Sequence, residues 1–429
     1  MFSPQRRSAA LLAFAVVVLA ACGSEVPPVA GTPAAVAPTA VAGPVESPTP
    51  SPSPSPTPSP TPSPTASSTP TPAVAIGDVP HDPAKFGFRA KGMTAEMMVF
   101  MPIGQMRYAL DVMDWDVVST VAYFSLEAGR NGQIIKDNGW KAWISPRMDA
   151  IIAKAHANRS KVVMSLERFS WSKGQTALTR ALLGSPAARE GLAREAAAEV
   201  KRRGVDGVNV DFEPIPAGRK VEFTDFIRRL RAALDDQGPG YQLTFAVVGH
   251  HTSYDVGASV GPDAADAVYL MGYHYSGTFS KVAGSNAPMG GGRYDVVDTV
   301  KSLLKSVKPH EIIVGVPYYG HVWPTVNGNL GARTLGGGYD MPYRRALAMA
   351  RQIGIRYDKV QQVAWGRIRE RGVWYQLYFD DHRAMAHKWA YVKAQKLLGG
   401  GVWTIGYEGR LGALNEVMRA AFLDPEARR

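Results

Sequence analysis

The 429-residue chain has one cysteine, Cys22. Everything after it is therefore without disulfides, cysteine-ligated zinc or a thiol nucleophile. Long apolar runs are missing too. The run from Ala9 to Leu19 follows Arg6 and Arg7 and is too short and wrongly flanked to cross a bilayer. No glycine-rich phosphate-binding turn follows the first apolar strand pattern, which argues against an open dinucleotide-binding sheet. Forty-eight Lys and Arg against 37 Asp and Glu leave a net charge of +11. No basic stripe interleaved with aromatics accompanies that excess, so nucleic acid is not expected as a partner. The surplus base reads as ordinary solvated surface, with some bias toward anionic wall polymers or membrane surface.

The first 87 residues divide in two. Leu19-Ala20-Ala21-Cys22 resembles a bacterial lipoprotein signal, with residues 1–21 cleaved and Cys22 carrying lipid. Several acyl chains on one residue give stable anchoring where a single chain does not. Residues 22–87 read as a stalk, in which 27–72 are Ala/Val/Pro-rich, then nearly pure Ser-Pro and Thr-Pro, with too little apolar bulk to fold. At about 3.1 Å per residue such a stalk reaches on the order of 100–140 Å. The expectation is an extracytoplasmic domain tethered to a membrane through Cys22.

Residues 88–425 read as the folded part. Apolar runs at 97–101, 117–124, 161–166, 205–213, 242–248, 267–273, 312–318 and 401–405 predict eight strands. Helical segments at 148–157, 187–203, 220–234, 294–306, 384–397 and 414–421 fall between or after them. That alternation predicts an α/β fold, a (β/α)8 TIM barrel. The stretch 321–381 is too long for one helix and its loops. A helix at 343–353 and a hairpin of 359–367 with 373–379 predict a small α+β insertion there, raising one wall of a groove.

The most telling residues are Gly204-Val-Asp-Gly-Val-Asn-Val-Asp-Phe-Glu213. In a strand, Asn209, Asp211 and Glu213 share one face and Val208, Val210 and Phe212 the other. A half-exposed antiparallel strand alternates in the same way, its polar face merely solvated. The flanking helices favour a parallel sheet covered on both sides, where such a row is buried and must be paired or used. Carboxylates at the C-terminal end of a barrel strand read as catalytic.

Asp206-Gly-Val-Asn-Val-Asp-Phe-Glu213 resembles the Asp-x-x-Asp-x-Asp-x-Glu signature of glycoside hydrolase family 18, the chitinase family. Met271-Gly-Tyr-His274, Ile313-Val-Gly-Val-Pro-Tyr-Tyr-Gly320, Tyr378-Phe-Asp-Asp381 and Gly400-Gly-Val-Trp403 resemble later stretches of that family, in order. Asn209 and the Phe-Asp-Asp stretch look nearest to its spore-cortex-lytic branch, which acts on peptidoglycan. The resemblance implies hydrolysis of β-1,4 bonds in N-acetylglucosamine-containing glycans, chitin or peptidoglycan, assisted by the substrate's own acetamido group and retaining configuration. Glu213 is then the general acid, Asp211 orients the acetamido N–H, Tyr273 bonds its oxygen and Trp403 floors the sugar. Asn209, His274 and Tyr318 are assigned to substrate binding. The partner is an N-acetylated glycan polymer, the chain acts as a monomer, and neither cofactor nor metal is called for. The rival is a lectin-like barrel that holds such glycans without turnover. Asn209 and His274 stand where the family carries aspartates, and Ser165-Leu-Glu-Arg168 lacks its glycine pair; retained Asp211 and Glu213 favour the enzyme.

Weaker candidates remain. His250 and His251 are adjacent, so a strand points them opposite ways, and no third metal ligand is evident. Glu127, Glu167 and Glu408 lie near predicted strand ends, where a surface ion pair is the expected role and a place in the groove the alternative. Trp171, Tyr275, Tyr318 and Trp323 are equally suited to sugar stacking and to packing. Gly290-Gly291-Gly292 and Gly336-Gly337-Gly338 read as loops, not phosphate cradles.

Overall fold

The structure, a computed structural model, describes residue 82 and residues 85–410 and 412–423. The signal, Cys22 and nearly all of the stalk lie outside the described residues.

Strands β1 (Glu96–Pro102), β2 (Thr120–Glu127), β3 (Lys161–Phe169), β4 (Gly207–Glu213), β5 (Gln242–Val248), β6 (Ala267–Met271) and β7 (Ile312–Pro317) pair in sequence order, each with the next and all parallel. Between β7 and the last barrel strand lie β8 (Tyr319–Thr325), β9 (Tyr339–Pro342), β10 (Arg356–Asp358), β11 (Val363–Glu370) and β12 (Val373–Phe379). Strand β13 (Gly399–Trp403) then pairs with β7 and β1 and closes the barrel. The predicted architecture is therefore the observed one. Boundaries moved where alternation is ambiguous: the second strand starts at Thr120 instead of 117, and the sixth ends at Met271, two residues early.

Local chemistry delivers β4 to its place. Helix Pro186–Arg203 starts on Ser185, whose side chain accepts from Ala188 N–H, with proline in the first turn. It ends at Gly204, left-handed at φ 61°, with Lys201, Arg202 and Arg203 against its C-terminal dipole. Asp206 then fastens the strand's beginning: its Oδ2 accepts from Val162 N–H at 2.7 Å and meets His156 Nε2 at 2.8 Å. On the outer face Phe212 stacks on Phe226 of helix Lys220–Gln237, centroids 5.4 Å apart and planes 8° apart.

The inner face is packed as well. Tyr269 projects into the barrel toward Gly315 and Gly401, which pair across β7 and β13; a Cβ on either would sit within 2.5 Å of its ring or hydroxyl. Phe100 meets the same ring edge-on at 4.8 Å.

The insertion is a five-stranded antiparallel sheet in the order β10-β11-β12-β8-β9, with helix Tyr343–Ile353 against it. It has its own small core of Ala283, Trp323, Val363, Trp365 and Tyr378. Its first strand opens at Tyr319, two residues after β7 ends, so the insertion begins earlier than residue 321. Tyr318, expected in the groove, falls between the two strands and turns the other way. Its hydroxyl donates to Met418 Sδ at 3.5 Å and the ring is 1% exposed.

Glu408, on the loop after β13, is wholly buried rather than at the surface. Burial pushes its carboxyl from 4.5 to about 8, against the pull of the backbone amides of Glu408 and Gly406. The folded chain keeps that proton over a range in which the unfolded chain releases it, so stability falls as pH rises from about 4.5 to about 8. Glu408→Gln removes this loss: urea unfolding should show little change at pH 5 and a gain reaching up to ~4 kcal/mol at pH 9.

Candidate active site

The row predicted on β4 faces into the mouth of the barrel. Asn209 is fully buried and Asp211 nearly so, while Glu213 is partly open to the groove. The side chains of Asp211 and Glu213 share a hydrogen bond. Burial raises Glu213 to about 7; the bond to Asp211 opposes the rise and the charge of Glu167 adds to it. Asp211 is driven well above the ordinary carboxylate range by burial first, then by Glu213 through charge and hydrogen bond, then by Glu167. Two such carboxyls cannot both ionise in a dry site, so the pair holds one proton near neutral pH and titrates as a unit.

The backbone around the pair is held from both sides. Ser170 N–H donates to Glu213 O at 2.6 Å, and the Tyr254 hydroxyl donates to Phe212 O at 2.7 Å. Tyr273 is buried beside the pair, its hydroxyl pKa raised by burial and then by Tyr269, Tyr319, Glu213 and Asp211. Trp403 lies partly open at the end of β13, with Phe124 edge-on at 4.8 Å and Phe100 at 5.7 Å. Asp211, Glu213, Tyr273 and Trp403 thus all stand at or just beyond the C-terminal ends of the parallel barrel strands.

Two assigned residues act differently from expectation. Asn209 was assigned to substrate binding. Its Nδ2 instead donates to Thr244 Oγ1 of β5 at 2.8 Å, and its Oδ1 is buried without a hydrogen-bond partner. It supports the site from below. His274 sits at the exposed rim with a left-handed backbone, φ 63°, its N–H donating to Asn286 Oδ1 at 2.8 Å. Its Nε2 meets the Tyr319 hydroxyl at 2.7 Å, tying it to the insertion sheet. Tyr319, not Tyr318, is the tyrosine of that pair turned toward the site, where the charge of Glu213 reaches it.

Glu167 was read first as a surface charge. Strand register places it opposite Asp211, and Ser125 Oγ donates to its Oε2 at 2.6 Å. Its carboxyl is raised by burial; Ser125 opposes this, Glu127 and Asp137 add to it, and Arg168 opposes it. Arg168 itself is engaged by Glu127 Oε1 at 2.7 Å, the ion pair expected of Glu127. The only hint in the sequence was position: Glu167 has the inward parity of Ser165 on its strand.

The remaining candidates lie elsewhere. His250 stacks on Tyr294 at 4.6 Å, and His251 meets Gly249 O at 3.2 Å. Among the described residues no three His, Cys, Asp or Glu side chains group to hold a metal. Trp323 is buried in the insertion core, Tyr275 bonds Thr299 at 2.6 Å, and Trp171 alone of the four aromatics is widely exposed, at 62%.

Glu167→Gln removes a negative charge facing Glu213. The alkaline limb of the pH–rate profile, set by Glu213 near pH 7, should move down by roughly half to one unit. Glu167→Asp should restore it in part; an unmoved limb would exclude Glu167 from the electrostatics of the site.

Residues 98–408 match the family model for glycosyl hydrolases family 18. "Putative sporulation-specific glycosylase YdhD" of Bacillus subtilis (strain 168) is 29% identical over 248 residues, 54% of this chain and 55% of that protein. The cortical fragment-lytic enzyme of Bacillus anthracis is 23% identical over 302 residues, 67% of this chain and 64% of that protein. The chain spans about half the length of the first curated relatives it matches. The GH18 chitinase of Cycas revoluta, solved with (GlcNAc)3, superposes with a TM-score of 0.66 at 18% identity, over 76% of this chain and 99% of that one. At that identity the likeness is one of fold; with the family match over most of the barrel, the chain belongs to glycosyl hydrolases family 18.

Proposed function

We propose that the chain is a glycosidase cleaving β-1,4 bonds in N-acetylglucosamine-containing glycans, by a substrate-assisted route that retains configuration. The observation that carries this reading is the Asp211–Glu213 pair, which keeps a proton available near neutral pH. Glu213 gives that proton to the glycosidic oxygen as the bond to C1 breaks. The substrate's acetamido oxygen attacks C1 from the opposite face, forming an oxazolinium ion. Asp211 orients the acetamido N–H and stabilises the charge that develops on it. Tyr273 bonds the acetamido oxygen, and Trp403 supports the apolar face of the ring. Glu213, now ionised, takes a proton from the water that opens the oxazolinium. Activity therefore falls as pH rises through about 7, where Glu213 loses its proton.

Glu213→Gln keeps shape and hydrogen bonding but removes the acid. Mass spectrometry of products from N-acetylglucosamine oligomers and from peptidoglycan fragments should show turnover reduced at least ~100-fold. Binding of the same glycans should change little. Intact substrates with the unaltered chain, alongside measurable binding, would identify a glycan-holding barrel instead.

The same reading places the domain outside the cytoplasm on a lipidated Cys22, with the Pro-rich segment as spacer. Its support is the signal-like sequence Leu19-Ala20-Ala21-Cys22 and the Ser-Pro and Thr-Pro repeats that follow. Cys22→Ala should shift the protein from the membrane to the soluble fraction on cell fractionation. Unchanged membrane association would remove the lipid anchor from the account.

A further inference from the structure

The loop after β6 and the loop joining β8 to β9 are fastened together. Gly338 N–H donates to Thr278 O at 2.7 Å, Thr334 N–H to Lys281 O at 2.9 Å, and Ala283 N–H to Ala332 O at 3.0 Å. Val282 and Arg333 form an antiparallel bridge between them. The Thr334 hydroxyl adds a bond to Ser280 O at 2.8 Å. Between the loops lies a recess of about 400 Å³ lined by Phe279, Lys281, Arg333, Thr334, Leu335 and Gly336, among others. Phe279 is 80% exposed and Leu335 57%, a large apolar surface to leave to water beside two cations. Among the described residues, neither Lys281 nor Arg333 has an ion pair, and no carboxylate lines the recess.

A row of buried rings and the loop after β6 connect this recess to the active site. Tyr319, His321 and Trp323 lie on one face of β8, with ring centroids 5.5 and 5.3 Å apart. Tyr319 stands 6.4 Å from Tyr273 at one end of that row. At the other end Trp323 Nε1 donates to Gly277 O at 3.2 Å, two residues before Phe279. The loop itself leaves the site at His274, five residues before Phe279.

We propose that this recess is a second binding site beside the active site, reached by the loop that leaves it at His274, for a carboxylate-bearing substituent of the glycan. The proposal rests on the glycosidase reading above and narrows its substrate to an acidic wall polymer. An exposed phenyl ring offers a stacking face to any sugar, neutral or charged. The two cations add something that only an anion uses: Arg333 offers a planar fork suited to a carboxylate, and Lys281 a point charge beside it. Chitin carries no anion to place there. Peptidoglycan carries two kinds: the lactyl carboxylate of its muramic acid where the stem peptide has been removed, and the carboxylates of the stem peptide where it is kept.

The test compares the full chain with a Lys281→Gln, Arg333→Gln double variant, both changes lying on exposed side chains outside the catalytic cleft. Initial rates are measured on neutral N-acetylglucosamine oligomers, on peptidoglycan strands stripped of stem peptides, and on strands that keep them. The expected result is a roughly three- to thirtyfold loss of kcat/KM on carboxylate-bearing strands, with the neutral oligomers unchanged. Loss on stripped strands identifies the lactyl carboxylate; loss confined to intact strands identifies the peptide. An equal effect on neutral and acidic glycans, or none on the acidic ones, would overturn the proposal. Binding of the same glycans to Glu213→Gln chains, with and without the double change, reads the recess independently of turnover. A chain that hydrolyses nothing would then count against the glycosidase reading alone.

Discussion

One proton held between Asp211 and Glu213 governs the rest of this structure. Two carboxyls on one face of β4, at the mouth of a closed barrel, cannot both be charged, and removing both charges would leave nothing for acid–base chemistry. Each surrounding feature fixes the compromise. Asp206 and the stack of Phe212 on Phe226 hold β4 at one end and along its back. Tyr254 and Ser170 hold the last two backbone carbonyls of the strand. Asn209 lies beneath the pair with its amide committed to Thr244, so position 209 itself adds no acidic proton to the pair. Whatever charge is to be stored near the acid must come from the side, and Glu167 supplies it.

The second constraint is the wall. A barrel alone presents a shallow mouth, with catalytic groups near the rim and open to water. Here β8 follows β7 without a loop and its sheet rises directly beside Tyr273, so the wall is an extension of barrel backbone. That continuity explains the parity of the two tyrosines. Tyr318 falls at the break and packs outward against Met418, while Tyr319 begins the new strand and faces the site. His274, in a left-handed conformation between barrel and wall, is a tie between the two more than a part of the catalytic floor.

What could be read from the chain follows from this geometry. All eight barrel strands were placed to within about three residues because buried parallel strands carry continuous apolar runs. The active row was legible because period two is a local property of β4. The failures are of non-local origin. Asn209 was read from the face it shares on its own strand, but its amide's partner, Thr244, is 35 residues away on β5. Tyr318 was assigned by an apolar run that passed Pro317 without revealing that the strand stops there. Glu167 and Glu408 look alike in the sequence, each a lone glutamate near a strand end. One faces the catalytic pair and the other is sealed beneath a loop, a difference set by barrel closure and the fit of the last helix.

Charge ties these observations together. The molecule is basic as a whole, yet the mouth of its barrel gathers Glu167, Asp211 and Glu213, so net charge says little about the field at the acid. A carboxylate-rich floor favours a protonated Glu213, and the same field repels any glycan that carries anions of its own. A neutral glycan needs no compensation. An acidic one does, and the compensation must be far enough from Glu213 to leave its pKa raised, since a cation in contact would pull the proton off. Lys281 and Arg333 satisfy both conditions: they lie along the same wall, beyond the row of rings on β8, and neither enters the balance of charges acting on Glu213. Keeping a basic recess a strand's length of β8 away from the acidic floor lets one site keep its acid protonated while still admitting an anionic polymer.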